Sequence, residues 1–333
     1  MKQLRVGVIG VGHIGSNHAR IYSELPQAEL ASVFDSDATR AREIATKFKT
    51  RAASTLTEFA DAIDAASIAT PTPTHFALAN DLLMRGKHLL IEKPITEKTE
   101  DARELARLAA EKRLVLQVGH VERFNPVLSA LEERLTQPRF IEASRLSPYP
   151  GRSVEIGVVL DLMIHDLEII LHLVRSPIAQ IDAVGVPVVS RGEDIANVRL
   201  RFENGCVANI TASRISQERL RKIRVFQQDA YLSLDYQKQE GYLLRMAREG
   251  EKETSMLGKI LGAATDARIV TEFAGRKIVR EPVVVAREEP LRQQLASFVD
   301  CAMTGGEPRV SGSHAAAALE LAVEITKQIA SGD

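Results

Sequence analysis

Six residues near the N-terminus, Gly10-Val11-Gly12-His13-Ile14-Gly15, place glycine at the first, third and sixth positions between an apolar run and an amphipathic one. Glycine in that pattern permits a tight turn, lets backbone approach a pyrophosphate and allows a helix to pack closely on a strand. The helix start then offers free N–H groups and the positive end of its dipole. The chemistry implied is dinucleotide binding, against the plainer reading of a glycine turn with no ligand. Asp35 closes the second apolar run, where a carboxylate accepts hydrogen bonds from the adenosine ribose hydroxyls. Its charge repels a ribose 2′-phosphate, and the following Ser36-Asp37 adds no arginine to receive one, so the pattern favours NAD over NADP. Arg40 and Arg42 are expected on a helix surface. A strand-end turn aspartate is the structural alternative for Asp35.

Glu92-Lys93-Pro94 follows another apolar run, at the carboxyl edge of the expected sheet, where open α/β folds hold their ligands. A lysine there meets cofactor and substrate together. Further on, Asp161, His165 and Asp166 interrupt the otherwise apolar stretch from Val158 to Leu167. Four-residue spacing puts Asp161 and His165 on one helical face, where the carboxylate orients the imidazole or shares a ligand with it. Three ionisable groups on so apolar a helix need partners, because burying an unpaired charge is very costly. Internal pairing or loop capping is the structural alternative, and Asp166 is read that way.

Short β-branched runs at 5–9, 29–34, 66–69, 88–91 and 115–118 alternate with amphipathic stretches at 14–24, 38–48, 76–85 and 99–111. This is the pattern of βαβ units, hence of a doubly wound parallel sheet with helices on both faces. After about residue 121 the texture changes. One apolar helix is expected over 158–174, then alternating runs at 178–189, 196–202, 207–212, 223–228, 231–235 and 242–246, which predict an antiparallel sheet. Asn204-Gly205 predicts a two-residue hairpin turn, since both positions tolerate positive φ. Residues 248–276 read as a polar excursion with one short helix, and helices at 291–304 and 313–329 close the chain. The expected division is a dinucleotide-binding domain over 1–121 and a substrate and oligomerisation domain over 122–333, with the terminal helices free to pack back on the first.

The 333 residues, 45% hydrophobic and 26% charged, suit a globular chain with one large or two medium cores. A formal charge of −1 offers no field to gather nucleic acid or an anionic membrane, so the expected partner is a small molecule met by local groups. Cys206 and Cys301 stand far apart with no CxxC, which argues against a disulfide framework or a zinc site; both read as buried apolar fillers. The opening MKQLRVGVIG runs straight into a strand pattern and no stretch approaches a membrane span, so a cytoplasmic protein is expected.

In order and spacing these motifs resemble the Gfo/Idh/MocA oxidoreductase family over nearly the whole chain. The resemblance runs through the glycine turn, Asp35, Thr70-Pro71 with His75, Glu92-Lys93-Pro94, Gly157 to Asp166, and Glu289-Pro290-Leu291. It implies α/β architecture: an N-terminal Rossmann domain and a C-terminal α+β domain on a large open, mainly antiparallel sheet, with homodimers or homotetramers formed through that sheet. It implies NAD as cofactor and no metal, with cofactor contacts at Gly10, Gly12, His13, Ile14, Gly15, Asp35, Ser36, Thr70, Pro71, Thr72, His75, Glu92 and Lys93. Lys93, Asp161 and His165 resemble its catalytic trio. The reaction implied is oxidation of a secondary sugar hydroxyl, which needs a base for the proton as hydride leaves carbon and a donor for the developing alkoxide. His165 suits the base, with an ordinary pKa of about 6.5, and Lys93 the donor; Lys93 beside oxidised nicotinamide is the competing base.

The segment from Val118 to Pro126, with Arg145 to Arg152, resembles a subgroup acting at C3 of UDP-N-acetylglucosamine, whose 3-keto product is aminated for amide-linked lipid A. His120, Arg123 and Arg152 are the expected substrate contacts, with Arg145 nearby, and Arg214, Arg219, Arg221, Lys222 and Arg224 add positive charge along the sheet. A diphosphate needs such groups. A solvated face or subunit contact would also account for the sheet cluster, and a satisfied core histidine for His120. Other functions stand beside this one. A dehydrogenase of inositol or another free sugar would keep every catalytic residue. A non-catalytic NAD-binding sensor is opposed by the presence of both Lys93 and His165. A metal enzyme on Asp161, His165 and Glu168 has too few ligands on one helix. Nothing supports DNA binding.

Overall fold

The computed structural model describes residues 3–149, 156–247, 268–273 and 276–332. Two compact units organise the chain, Met1–Phe124 with Glu289–Glu320, and Asn125–Glu288 with Leu321–Asp333.

In the first unit the short apolar runs form β1 (Leu4–Ile9), β2 (Ala28–Phe34), β3 (Arg51–Ala52), β4 (Ala65–Ile68), β5 (His88–Glu92) and β6 (Leu116–Gly119). Helices α1 (His13–Glu24), α2 (Ala38–Phe48), α3 (Leu56–Ala62), α4 (His75–Met84) and α5 (Thr99–Lys112) connect them. Every pairing is parallel, in the order β3-β2-β1-β4-β5-β6. Strands covered on both faces have no solvent side, which is why β4 is buried at every residue and reads as an unbroken run rather than an alternating one. The order reverses between β1 and β4, the place where folds of this kind hold ligands. Helix α8 (Pro290–Thr304) belongs here too: Leu295, Phe298 and Val299 join Val6, Val8, Ile21, Tyr22 and Val33 in one apolar cluster. Each such side chain contributes about 1.5–3 kcal/mol by leaving water.

Among its described residues the second unit holds α6 (Pro126–Glu132) and nine strands: β7 (Pro138–Leu146), β8 (Ile178–Val186), β9 (Ile195–Phe202), β10 (Val207–Ser213), β11 (Leu220–Gln227), β12 (Ala230–Asp235), β13 (Glu240–Met246), β14 (Arg268–Phe273) and β15 (Arg276–Val283). Their order is β14-β15-β13-β12-β11-β7-β10-β9-β8, antiparallel throughout except for β7 beside β10. One face is buried: Ala196, Val198, Leu200 and Phe202 of β9 point inward while the residues between them are exposed. Helix α7 (Ile164–Val174) follows a π-turn, Val159–Met163, and the last helix, α9 (Gly312–Ser331), contributes residues to both units.

Several expectations need correction. The hairpin stands at Asn204-Gly205, but only Gly205 takes positive φ, 83°. Asn204 instead uses its side chain to accept the Cys206 N–H at 3.0 Å. The run expected to 189 ends as a strand at Val186, because the Asp194 carboxylate accepts the N–H groups of Val188, Val189 and Ser190 at 2.8, 2.6 and 2.9 Å. Where the sequence suggested an excursion with a short helix, the described residues Arg268–Phe273 and Arg276–Val283 pair as strands; 248–267 and 274–275 lie outside the described residues. Strand β7 and helices α3 and α6 were also not anticipated. Cys206 is buried, whereas Cys301 is partly exposed, its thiol 3.6 Å from the Glu307 carbonyl. Among the described residues no helix is long and apolar enough to cross a membrane.

Arg145, expected near the substrate contacts, is buried in a two-pronged pair with Asp166. Its Nε donates to Oδ2 at 2.7 Å and its Nη2 to Oδ1 at 3.0 Å. The inward register of β7 turns Arg145 toward α7, where the aspartate, read from sequence as structural, awaits it. Removing one partner of such a pair strands the other charge. Asp166→Ala is therefore expected to lose about 3–5 kcal/mol of stability, measured by urea unfolding; a loss below about 1 kcal/mol, the scale of an exposed pair, would show that the contact is dispensable.

Candidate active site

The first unit shows why glycine stands where it does in the turn after β1. A Cβ at Gly15 would lie 1.8 Å from the Gly10 carbonyl oxygen, and one at Gly10, whose φ is 80°, would lie 2.7 Å from Thr70 Cγ2. At Gly12 a Cβ would meet nothing within 4 Å. Two glycines thus close the turn and the third opens it outward. Gly12 brings no side chain to cap α1, so the helix N-terminus keeps its dipole and N–H groups for an external anion. His13 and Ile14 stand exposed at this start, Ile14 at 48%.

Asp35, at the end of β2, accepts the Val11 N–H at 2.8 Å and the Asp37 N–H at 2.9 Å. Arg40 approaches it at 3.7 Å and Asp37 at 3.5 Å, so an arginine does stand beside the carboxylate. Asp37 caps α2 through the N–H groups of Thr39 and Arg40, and the cap sets Arg40 in the first turn, facing back to the strand end. Ser36 is exposed. Across the turn, Thr70, Pro71 and Thr72 form the loop after β4. His75 is buried beneath it, with Nε2 2.9 Å from the Thr70 carbonyl and Nδ1 3.0 Å from that of Pro94. One ring thereby ties the loops that follow β4 and β5.

At the end of β5 the side chains of Glu92 and Lys93 have different settings. The Glu92 carboxylate rests over Gly119, where a Cβ would come within 2.5 Å of Oε1, and lies 3.3 Å from Nε2 of the fully buried His18 on α1. Lys93 is partly buried and joined to Pro94 by a cis bond. His120, just past β6, is buried, and its pKa is pushed down to about 3 by burial and then by the charges of Lys93 and Arg123. It stays neutral through the physiological range. Arg123 is also buried, donating from Nη2 to the Arg309 carbonyl at 3.2 Å.

In the second unit, Asp161 lies within the π-turn and His165 in the first turn of α7, both partly buried. The four-residue spacing therefore does not span a regular helix, because a turn with i→i+5 bonding takes up more chain. Arg214, counted with the sheet's positive charge, is instead fully buried on Asp194 at 2.9 Å. Arg219, Arg221, Lys222 and Arg224 are exposed, Arg224 donating to Glu142 at 2.8 Å. Arg152 lies outside the described residues. Among the described residues no three His, Cys, Asp or Glu groups gather in a way that could hold a metal ion. Sequence reasoning missed His18 and the Glu193-Asp194 pair. His18 had a signal, since it falls on the buried stripe of α1 with Gly15, Ala19 and Tyr22; Glu193 had none, because its contacts lie 34 residues away.

Residues 4–120 match the model of the oxidoreductase family with an NAD-binding Rossmann fold, and residues 132–233 match the Gfo/Idh/MocA C-terminal domain. The chain belongs to the Gfo/Idh/MocA family. It is an NAD-dependent oxidoreductase of that family, acting on a CH–OH group. The UDP-N-acetylglucosamine 3-dehydrogenase of Acidithiobacillus ferrooxidans is 44% identical over 237 residues, covering 71% of this chain and 75% of that one. A solved structure of that enzyme superposes with a TM-score of 0.87 over 99% of both chains at 34% identity. The NAD-dependent scyllo-inositol 2-dehydrogenase of Bacillus subtilis is 26% identical over 233 residues, 64% of this chain and 68% of that one. The family match bears out the expected parallel Rossmann sheet, the mainly antiparallel second sheet and NAD.

A depressed histidine pKa makes the folded protein refuse a proton that the unfolded chain accepts. The His120 contribution to stability is thus complete above the unfolded value of about 6.5 and is lost as pH falls toward 3. His120→Phe is expected to flatten the fall in urea midpoint between about pH 6.5 and 4. Parallel curves for the two proteins would contradict the assignment.

Proposed function

We propose that this chain oxidises the C3 hydroxyl of UDP-N-acetylglucosamine with NAD, giving the 3-keto nucleotide sugar. The 44% identity to the Acidithiobacillus ferrooxidans enzyme is the observation that carries the reading. The glycine turn fits a dinucleotide: Gly12 leaves open space, the start of α1 is uncapped, and Thr70 closes the far side of the turn. Gly10, Gly12, His13, Ile14 and Gly15 would meet the pyrophosphate, Asp35 and Ser36 the adenosine ribose, and the loops of Thr70 to Thr72 and Glu92-Lys93 the nicotinamide half. His75 supports the last two loops from beneath rather than from the surface.

NAD bound there supplies the hydride acceptor. The protein's part is the proton and the charge. His165 takes the hydroxyl proton as the C3 hydride departs, and Asp161 orients the imidazole or the hydroxyl. Lys93 hydrogen-bonds the reacting oxygen and stabilises the negative charge that grows on it. Lys93 is the second candidate for the base, and the pH profile of kcat in the two variants distinguishes them. His120, Arg123 and Arg152 are proposed substrate contacts. His120 acts as a neutral donor or acceptor, since its pKa lies near 3. Asp35, with Arg40 held between it and Asp37, keeps the ribose end negative and so disfavours a 2′-phosphate. The protein is proposed to work in the cytoplasm as a homodimer or homotetramer through its second sheet, supplying a keto sugar for amination toward amide-linked lipid A.

Absorbance at the reduced-nicotinamide band, with UDP-N-acetylglucosamine, myo-inositol and glucose offered separately, tests the reading. Turnover is expected with the nucleotide sugar alone and to fall at least about 100-fold in Lys93→Ala and His165→Ala. Turnover with a free polyol only would replace the substrate. For the cofactor, Asp35→Ala is expected to weaken NAD binding about 10-fold and to erode its preference over NADP; titration showing an unchanged ratio would remove Asp35 from the ribose site.

A further inference from the structure

The helix carrying Asp161 and His165 starts where its own residues offer no cap. The first N–H groups of a helix have no partner within it, and no side chain of the preceding residue supplies one here. The partners come from the hairpin between β8 and β9. The Glu193 carbonyl accepts the Val158 N–H at 2.9 Å, and its carboxylate Oε1 accepts the Val159 N–H at 3.2 Å.

Gly157 makes room for that carboxylate. A Cβ there would lie 1.9 Å from Glu193 Oε1 and 2.2 Å from Cδ, so an added methyl would have to push the carboxylate off the Val159 N–H. The backbones also run close, since a Cβ on Gly192 would stand 3.1 Å from Gly157 Cα. One residue earlier, the buried Arg214 donates from Nη1 to the Ile156 carbonyl at 2.7 Å. Arg214 is itself held by Asp194 Oδ1 at 2.9 Å and Ser190 Oγ at 2.7 Å. Residues 156, 158 and 159 are thus held by Arg214 and by a hairpin tip whose own shape is set by Asp194. The π-turn follows at once, with Asp161 inside it. A turn of that kind is an uncommon conformation that surrounding structure has to maintain.

We propose that Glu193 is a positioning residue for Asp161 and His165, acting by fixing the start of their helix. The proposal rests on the reading of Asp161 and His165 as catalytic. Misplacement of a reacting group by 1 Å costs on the order of 100-fold in rate without weakening ground-state binding. The effect therefore falls on kcat rather than on KM.

Steady-state kinetics of the full-length protein with NAD and UDP-N-acetylglucosamine tests this, with His165→Ala run in parallel and the melting temperature of every variant recorded. Glu193→Ala and Gly157→Ala are each expected to lower kcat at least about 30-fold at temperatures where they are fully folded, with KM for the sugar and Kd for NAD within about twofold. Glu193→Gln keeps an acceptor oxygen for the Val159 N–H and is expected to stay within about threefold of the parent. The double variant Gly157→Ala/Glu193→Ala is expected to be no slower than Glu193→Ala alone, because the added methyl then meets no carboxylate. If Glu193→Ala lowers the melting temperature but keeps kcat while His165→Ala abolishes turnover, Glu193 is only structural and the proposal is overturned. If His165→Ala turns over normally, the reading of the site itself falls and takes the proposal with it.

Discussion

A side chain at Gly15 would have nowhere to go, because its Cβ would press on the Gly10 carbonyl at 1.8 Å. That contact forces α1 to start directly on the end of β1. Gly10 in turn lies against the Ala69 carbonyl and Thr70, so the ends of β1 and β4 meet with no side chain between them. These are the two strands at which the sheet order reverses. Asp35 ties the end of β2 to the same turn through the Val11 N–H, and His75 ties the loop after β4 to the one that follows β5. Four strand ends are therefore held by backbone contact, one carboxylate and one ring. None of these depends on a long flexible side chain, and little conformational entropy has to be overcome to keep them in place.

The second unit fixes its helix by charge rather than by shape alone. Eight of the 11 residues of α7 are buried, Asp166 and Glu168 among them. A helix so broadly apolar gains little from any one rotation about its axis, because hydrophobic burial is non-directional. The Arg145 fork on Asp166 has direction: two donors on two oxygens allow one orientation of α7 against β7. A buried pair is weak evidence for net stability, since an apolar replacement of the same volume often does as well. Its contribution here is register, and His165 is the neighbour of the residue so held. The hairpin clamp fixes the same helix at its other coordinate, its point of entry.

This division explains what could be read from the sequence. The parallel sheet was legible because burial on both faces leaves continuous apolar runs with glycine at the turns. The second sheet was legible where polar and apolar residues alternate along a run, most plainly in β9. Strand β7 escaped because Arg145 occupies one of its inward positions, and a charge there contradicts an alternating pattern unless the partner is known. Arg145 and Arg214 could be counted as cations but not recognised as buried, since Asp166 and Asp194 lie 21 and 20 residues away and spacing says nothing about such pairs. Arg40 lies on the helix surface as expected, and only its approach to Asp35 was hidden, for a local reason: the Asp37 cap turns the first helical turn back over the strand end. Glu193 and Gly157 each look ordinary alone, and only their contact gives either a meaning.

The first unit also limits where a proton can go. A hydroxyl that loses hydride to a nicotinamide must lose its proton as well, and Lys93 and His165 are the two candidates proposed to take it. His120, a third basic side chain, is kept from that role by its surroundings. Burial and the neighbouring charges of Lys93 and Arg123 push it to about 3, so at neutral pH an imidazolium there would be far too strong an acid to form. The same charges that disqualify it favour an anion, and a growing alkoxide is an anion. In the proposed reaction the charges of Lys93 and Arg123 near a neutral imidazole would therefore stabilise the growing negative charge, and the proton would pass to a base whose ordinary pKa lies nearer the working pH.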